Sequence, residues 1–196
     1  MTGGREPPPP ELIDDALGTA EGRHLNQETT IPTDRKIRSR EAAMGWVKEQ
    51  QSAGRSVVFA NGCFDVLHVG HIRFLEEARC QGNALIVGIN TDGSVRALKG
   101  EGRPLQSESE RASLVAALSA VDAVVLFEEP TADRILSDLR PDIHAKGTDY
   151  TEENVPERKT TTAIGIRTVI VGDPKKHSTQ DMIRKVQGWQ KATSDS

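Results

Sequence analysis

VVFANGCFDVLHVGHIRFLEEAR, residues 57–79, places an apolar run, a polar stretch and a helical pattern one after another. Residues 57–60 include β-branched valines and lead into a glycine-containing polar segment, as expected for a buried strand that ends in a tight turn. Ile72, Leu75 and Ala78 recur at three-residue spacing, which indicates an amphipathic helix. The stretch therefore predicts a strand, a polar turn and a helix in succession.

The rest of the chain repeats this alternation. The other apolar runs are solid rather than alternating, which is typical of strands buried on both faces of a parallel sheet. They predict four further strands at residues 84–89, 123–127, 143–145 and 168–171. Further helices are predicted at residues 40–53 and 131–140 and after the caps Ser107 and Ser178. This order predicts an α/β fold, a Rossmann-like doubly wound parallel sheet of five strands.

The N-terminal part differs from the rest in composition. It contains four consecutive prolines at residues 7–10, scattered glycine and charged residues, and few large apolar side chains. Such a composition cannot bury enough apolar surface to fold. We therefore expect residues 1–35 to be a disordered tail and residues 36–190 to form one domain.

Charge and composition exclude several classes of protein. The 196 residues carry a net charge of −4, whereas a general nucleic-acid-binding protein usually has a basic excess. No apolar run approaches the length of a membrane span, and the N-terminus lacks the pattern of a signal peptide. Cys63 and Cys80 do not make a disulfide framework. We expect a cytoplasmic protein that binds neither nucleic acid nor membrane.

Polar motifs directly follow four of the predicted strands. In a doubly wound sheet, ligands bind beyond the carboxyl ends of the strands, so such motifs should meet at one edge. The motifs occupy residues 61–71, 90–92, 146–150 and 175–179. A binding site is therefore predicted at this edge.

Two histidines lie three residues apart where the predicted helix begins. His68 and His71 therefore share one helix face, and Gly70 between them lets a ligand approach the backbone. A helix N-terminus favours phosphate, and adjacent imidazoles can donate hydrogen bonds to developing phosphoryl charge. A metal-binding pair and ordinary surface histidines are the alternative interpretations.

This segment resembles the HxGH signature of the cytidylyltransferase-like nucleotidylyltransferases. Residues 61–79 are similar to the adenylyltransferase domain of bacterial ADP-heptose synthases. The resemblance continues in order through VGINTDGSVRALKGEGRP (87–104), the Glu110-Arg111 pair, AVDAVV (120–125), RPDIHAKGTDY (140–150) and the Ser178-Thr179 pair. It implies that residues 36–190 are a nucleotidylyltransferase domain with a Rossmann-like fold.

The resemblance also implies roles for individual side chains. Catalytic roles fall on His68, His71, Lys99 and Arg111. Nucleotide and phosphate binding falls on Asn61, Gly62, Cys63, Phe64, Gly70, Lys146, Asp149, Ser178 and Thr179. Binding of the second substrate falls on Asp65, Asp92 and Arg103, and no side-chain metal site is expected.

Plainer structural roles compete with several of these assignments. Lys99 and Arg103 are predicted to lie in the glycine-containing loop after the second strand. They could be merely solvated charges there, although an amine and a forked guanidinium also suit phosphate. Asp65 could cap a turn or helix, and Asp92 could be a turn residue or orient Lys99. Arg111 lies in a first helical turn, where the dipole disfavours a cation; this favours a nearby anion over a surface ion pair.

The implied reaction joins a nucleoside monophosphate to a phosphorylated acceptor and releases pyrophosphate. A phosphate monoester has a second pKa of about 6, so the acceptor needs no general base and Cys63 no nucleophilic role. Alignment and electrostatic stabilisation would supply most of the catalysis, by in-line displacement. Mg²⁺ is expected as a cofactor, held mainly by the phosphates of ATP because it keeps most of its waters.

The resemblance implies ATP and D-glycero-β-D-manno-heptose 1-phosphate as substrates and ADP-heptose, a lipopolysaccharide precursor, as product. Many relatives fuse this domain to a sugar kinase, for which this chain is too short, so we expect the kinase on a separate protein. The resemblance also makes a homodimer plausible.

Residues 154–167 and 175–180 depart from the family pattern. A glycerol 3-phosphate cytidylyltransferase and a non-catalytic nucleotide-binding regulator are therefore kept as alternatives. His144, inside an apolar run, is interpreted as a core or edge residue.

Overall fold

One sheet of six parallel strands forms the centre of the computed structural model, which describes residues 32–173. The strands are β1 (Ile37–Arg38), β2 (Val57–Gly62), β3 (Ala84–Asn90), β4 (Ala123–Phe127), β5 (Ile143–Gly147) and β6 (Arg167–Val171). The helices are α1 (Thr33–Lys36), α2 (Arg40–Ser52), α3 (Val69–Arg79), α4 (Asp92–Lys99), α5 (Glu108–Ala116), α6 (Asp133–Leu139) and α7 (Arg158–Ile164).

The strand order β1-β4-β3-β2-β5-β6 is that of a doubly wound sheet, which confirms the predicted α/β class. After β2 the chain moves outward through β3 and β4, then returns to the other side of β2 to add β5 and β6. The winding therefore reverses between β2 and β5. Ligands of doubly wound proteins bind in the crevice at such a reversal.

The five predicted strands are all present, but a sixth, β1, was missed. Its two residues pair with Val124 and Val125 of β4, and a strand this short leaves no apolar run in the sequence. Of the tail predicted at residues 1–35, the structure describes only residues 32–35, where α1 begins. The helix predicted after Ser178 lies outside the described residues.

Apolar side chains pack on both faces of the sheet, as the solid strand patterns predict. On one face Val58 packs with apolar residues of α3 and α5, and on the other face Val57 and Phe59 pack with those of α2 and α6. Gly88 in β3 is needed because a Cβ there would lie 2.6 Å from the Phe59 ring. This two-sided packing holds the carboxyl ends of the central strands in fixed positions.

Helix signals were read correctly where a cap was strong and missed where apolar residues were sparse. The capping box of α5 is present, with reciprocal hydrogen bonds between Ser107 and Glu110. Both α4 and α7 were missed, because α4 buries only Ser94 and Val95 and α7 contains three consecutive threonines. The placement of Lys99 in a loop was therefore wrong, since it is the last residue of α4. Within residues 32–173, no helix has the length and apolar character to cross a membrane.

Candidate active site

A cleft of about 910 Å³ lies at the carboxyl ends of β2, β3 and β5. It therefore coincides with the reversal of the winding, where a ligand site is expected. The predicted site residues that line it are Asn61, Gly62, Cys63, Phe64, Asp65, His68, Gly70, His71, Lys99, Arg103, Lys146 and Asp149. Asp92 and Arg111 are outside this lining, and Ser178 and Thr179 lie beyond the described residues.

His68 and His71 form a stacked pair at the start of α3. Their ring centroids are 3.8 Å apart with 20° between the ring planes, and the Phe64 ring lies 5.3 Å from that of His71. Burial, together with smaller effects of the adjacent His68 and Lys99, lowers the pKa of His71 to about 4. His71 is therefore neutral at pH 7 and can donate one ring hydrogen bond to an oxygen in the cleft.

The turn between β2 and α3 has an unusual backbone. Phe64 and Val66 have φ angles of 49° and 64°, a region that side-chain-bearing residues rarely adopt. Such conformations cost on the order of 1–3 kcal/mol each and persist only where their surroundings hold them. The turn that carries the histidines is therefore held in place by other contacts.

Asp65 supplies most of those contacts. Its carboxylate accepts hydrogen bonds from Arg103 at 2.6 Å and from the backbone N–H groups of Leu105 and Gln106 at 2.8 and 3.3 Å. Burial opposes ionisation, but the hydrogen bonds from Arg103 and the backbone outweigh it and lower the pKa of Asp65. The side chain is almost completely buried, so Asp65 joins the turn to the segment after α4.

Arg111 is completely buried and connects three segments behind the cleft. Its guanidinium donates to the carbonyl oxygens of Cys63 at 2.6 Å and Gln106 at 3.0 Å, and to Asp92 at 2.8 Å. The anion that meets Arg111 in this structure is therefore the Asp92 carboxylate. A predicted partner of Asp92 was Lys99, but in this structure its carboxylate forms an ion pair with Arg111.

A second wall of the cleft carries a buried ion pair that was not predicted. The Lys146 ammonium lies 3.3 Å from Glu157 and 4.8 Å from the centroid of the Tyr150 ring. Glu157 also accepts a hydrogen bond from the Ala132 N–H at 3.2 Å. Both charged side chains are more than nine-tenths buried, so each charge is compensated by its partner rather than by water.

Sequence reasoning missed Glu157 and Thr131, which also line the cleft, and it assigned no individual role to Asn90 and Tyr150, which lie in the predicted polar motifs. Asn90 directly follows the apolar part of a predicted strand, and that position was the available signal. Glu157 lies in residues 154–167, which depart from the family pattern, and eleven residues separate it from Lys146. Neither the resemblance nor a local sequence pattern could therefore identify Glu157 as a residue of the site.

The described side chains form no metal site of their own. Within residues 32–173, no group of three or more His, Cys, Asp or Glu side chains could hold a metal ion. Of the cleft carboxylates, Asp65, Glu157 and Asp173 each pair with a basic side chain.

Comparison with known proteins identifies the family. The sequence model of the cytidylyltransferase-like family matches residues 59–190, which include the turn, the histidine pair and the second wall. The chain belongs to the cytidylyltransferase-like family. The predicted membership of the cytidylyltransferase-like family is thereby confirmed.

Relatives with curated descriptions agree with this family. The chain is 46% identical over 154 residues to the bifunctional protein HldE of Citrifermentans bemidjiense, covering 79% of this chain and 32% of that protein. It is 40% identical over 161 residues to the bifunctional protein HldE of Methylobacillus flagellatus, covering 82% and 33%. The chain thus spans about a third of the length of the curated relatives it matches.

A solved structure agrees with the fold. The lipopolysaccharide core biosynthesis protein from Thermoplasma volcanium superposes with a TM-score of 0.55 at 28% sequence identity. The match covers 62% of this chain and 100% of that one. The Rossmann-like domain predicted from the sequence therefore has a structural counterpart among solved proteins.

Proposed function

We propose that this chain is a nucleotidyltransferase that transfers AMP from ATP to D-glycero-β-D-manno-heptose 1-phosphate and releases pyrophosphate. The observation that carries the proposal is the stacked pair of His68 and His71 at the N-terminus of α3, inside a cleft at the winding reversal. The HldE proteins support the choice of substrates, since the chain is 40–46% identical to them. The product would be ADP-heptose.

The first wall of the cleft has the properties needed to bind a triphosphate. The helix N-terminus offers free N–H groups, and Lys99 and Arg103 line the same cleft. Arg103 keeps part of its guanidinium available, since its side chain is 18% exposed while one nitrogen binds Asp65. We assign the transferring phosphate to the histidines and the remaining charge to Lys99 and Arg103. Ser178 and Thr179 are proposed to hold the pyrophosphate end.

The mechanism is direct displacement at the α-phosphorus. An oxygen of the ionised acceptor phosphate forms the new bond, while the bond to the bridging oxygen breaks and pyrophosphate leaves with the electron pair. Cys63 is a poor candidate for a covalent intermediate, because burial raises the pKa of its thiol despite the opposing charges of Lys99 and Arg111. His71, neutral at pH 7, contributes a hydrogen bond that strengthens as negative charge develops on the phosphoryl oxygens.

Mg²⁺ would accompany ATP and reduce the repulsion between its phosphates and the acceptor. We further propose that the reaction takes place in the cytoplasm, that a separate protein supplies the heptose 1-phosphate, and that the domain works as a homodimer. Residues 154–167 contribute Pro156 and Glu157 to the cleft wall, so this departing segment is where acceptor choice would be set.

Pyrophosphate release tests the proposal. ATP and CTP are each combined with heptose 1-phosphate and with glycerol 3-phosphate in the presence of Mg²⁺. We expect turnover with ATP and the heptose only. Turnover with CTP and glycerol 3-phosphate would assign the chain a different pair of substrates. If none of the four reactions released pyrophosphate, the proposed activity would be contradicted.

A further inference from the structure

His144 is a buried histidine at the winding reversal, and the reaction proposed above gives it no role. It lies opposite Phe59 in the pairing of β5 with β2, with the two ring centroids 5.9 Å apart. Its side chain is fully buried and does not line the cleft. Its Nε2 lies 3.1 Å from Oδ1 of Asn61, which does line the cleft at the end of β2.

The surroundings of His144 determine which ring nitrogen carries the proton. Nδ1 is buried and has no hydrogen-bond partner within residues 32–173. A proton on Nδ1 would leave an orphaned buried donor and would also place two acceptors, Nε2 and the Asn61 oxygen, in contact. The neutral ring therefore carries its proton on Nε2 and donates it to Asn61.

The ring also stays neutral. Burial lowers the pKa of His144 to about 3, and the charge of Lys146 acts in the same direction, against a smaller opposing effect of Asp133. The donor at Nε2 is thus present throughout the neutral pH range. The hydrogen bond from His144 to Asn61 therefore does not depend on a change in the protonation state of the ring.

This contact fixes the orientation of the Asn61 amide. Because Oδ1 accepts from His144, the other end of the amide, Nδ2, is the group left to act in the cleft, and within residues 32–173 it has no hydrogen-bond partner. The neighbouring Asn90 differs, because its Nδ2 donates to Ser94 and its Oδ1 faces the Cys63 thiol at 3.8 Å. Asn61 is therefore the cleft amide that keeps a donor available.

We propose that His144 is a positioning residue that locks the Asn61 amide with Nδ2 towards the cleft, so that it donates to a phosphate oxygen of the nucleotide. The proposal rests on the proposed function, since it takes the cleft to bind ATP. The recognised group is an oxygen acceptor, because a primary amide nitrogen can only donate. Without His144 the amide could turn and present its oxygen, which repels phosphate.

A double-mutant cycle in the full chain tests the role. His144→Phe keeps a ring beside Phe59 but removes the donor, His144→Gln restores a donor, and Asn61→Ala removes the amide. Ile143→Val is the matched control, because it alters a buried neighbour on β5 that packs on the opposite face of the sheet. For each variant we would measure the dissociation constant of MgATP by calorimetry, the KM values of both substrates, and thermal unfolding.

We expect His144→Phe to raise the dissociation constant and KM for ATP about three- to tenfold, the worth of one hydrogen bond, and to leave the acceptor KM unchanged. His144→Gln should recover most of this loss, and adding His144→Phe to Asn61→Ala should have no further effect. Long-range ¹H–¹⁵N NMR of the wild type should show His144 protonated on Nε2.

Independent, multiplying effects of the His144 and Asn61 changes would overturn the proposal, as would a proton on Nδ1. An equal effect of Ile143→Val on ATP binding would show that His144 acts only through packing. A wild type that binds ATP with the expected coupling but releases no pyrophosphate would leave the role of His144 standing and remove only the proposed reaction.

Discussion

Arg111→Met is predicted to destabilise the fold strongly, because this guanidinium joins three segments in the interior. The substitution removes two charged hydrogen bonds to carbonyl oxygens, at 2.6 and 3.0 Å, and the ion pair with Asp92 at 2.8 Å. Methionine has a similar length, so little volume is lost. The main effect is the loss of a polar partner for the backbone carbonyl of the half-buried Cys63 and for Asp92.

The magnitude follows from the exposure of those partners. Breaking a fully buried ion pair costs about 3–5 kcal/mol. The Asp92 side chain is 33% exposed and recovers part of this from water. Each charged hydrogen bond lost to a partly buried carbonyl is worth about 1.5–3 kcal/mol. We therefore expect a loss of about 3–5 kcal/mol in the free energy of unfolding, or a fall in Tm of about 6–20 °C for a chain of this size.

Urea and thermal unfolding followed by circular dichroism measure this loss. Arg96→Met is the matched control, because Arg96 is exposed on α4 and should change stability by less than about 0.5 kcal/mol. A variant of Arg111 that unfolds like the control, yet has lost nucleotidyl transfer, would refute the reasoning. It would show that this guanidinium acts on substrate rather than on the fold.

Four further predictions concern the cleft. His68→Ala and His71→Ala should each lower kcat by about 10²–10³ with unchanged circular dichroism, since each removes a donor to the developing charge; near-normal turnover in both would contradict their role. Because the pKa of His71 is lowered, His71 of the unfolded chain takes up a proton between pH 6.5 and about 4, whereas in the folded protein it stays neutral. This residue therefore lowers the free energy of unfolding as the pH falls through that window. NMR titration of its ring should give the low pKa, and a value near 6.5 would disprove the prediction. Asp65→Asn should destabilise the protein by about 2–3 kcal/mol at pH 7. Because the pKa of Asp65 is lowered, the difference in free energy of unfolding between wild type and variant should shrink as the pH falls below 3.8. A difference that does not change with pH would argue against the ion pair with Arg103. Glu157→Gln should lower the free energy of unfolding, measured by chemical denaturation, by about 3–5 kcal/mol, because it leaves the buried ammonium of Lys146 uncompensated. Adding Lys146→Met should restore most of this loss. If the losses of the two single variants add in the double variant, the two side chains do not act as a pair.

The class of fold was predictable because the information is local. Solid apolar runs mark strands buried on both faces, and β3, with all seven residues buried, is the clearest case. The capping box at Ser107 located α5 correctly, since its two hydrogen bonds form within one helical turn. The short β1 and the weakly apolar α4 carry no such local signal, which is why Lys99 was placed in a loop.

The candidate site was predictable in position but only partly in detail. Polar residues after strands pointed to the edge where the cleft lies, because parallel strands all end there. The partners of those residues come from distant segments, as with Asp65 and Arg103, which are 38 positions apart. For Arg111, the helix position indicated a nearby anion but not which one. Only the structure places that anion, Asp92, on the protein itself.

Identification of the product by ³¹P NMR tests the central claim most directly. The protein is incubated with MgATP and D-glycero-β-D-manno-heptose 1-phosphate, and the spectrum is followed until ATP is consumed. The account predicts free pyrophosphate together with two coupled resonances of an unsymmetrical diphosphate diester, and neither should form with His68→Ala. Conversion of ATP to ADP and phosphate, or no conversion despite ATP binding, would contradict the assignment of nucleotidyl transfer to this cleft.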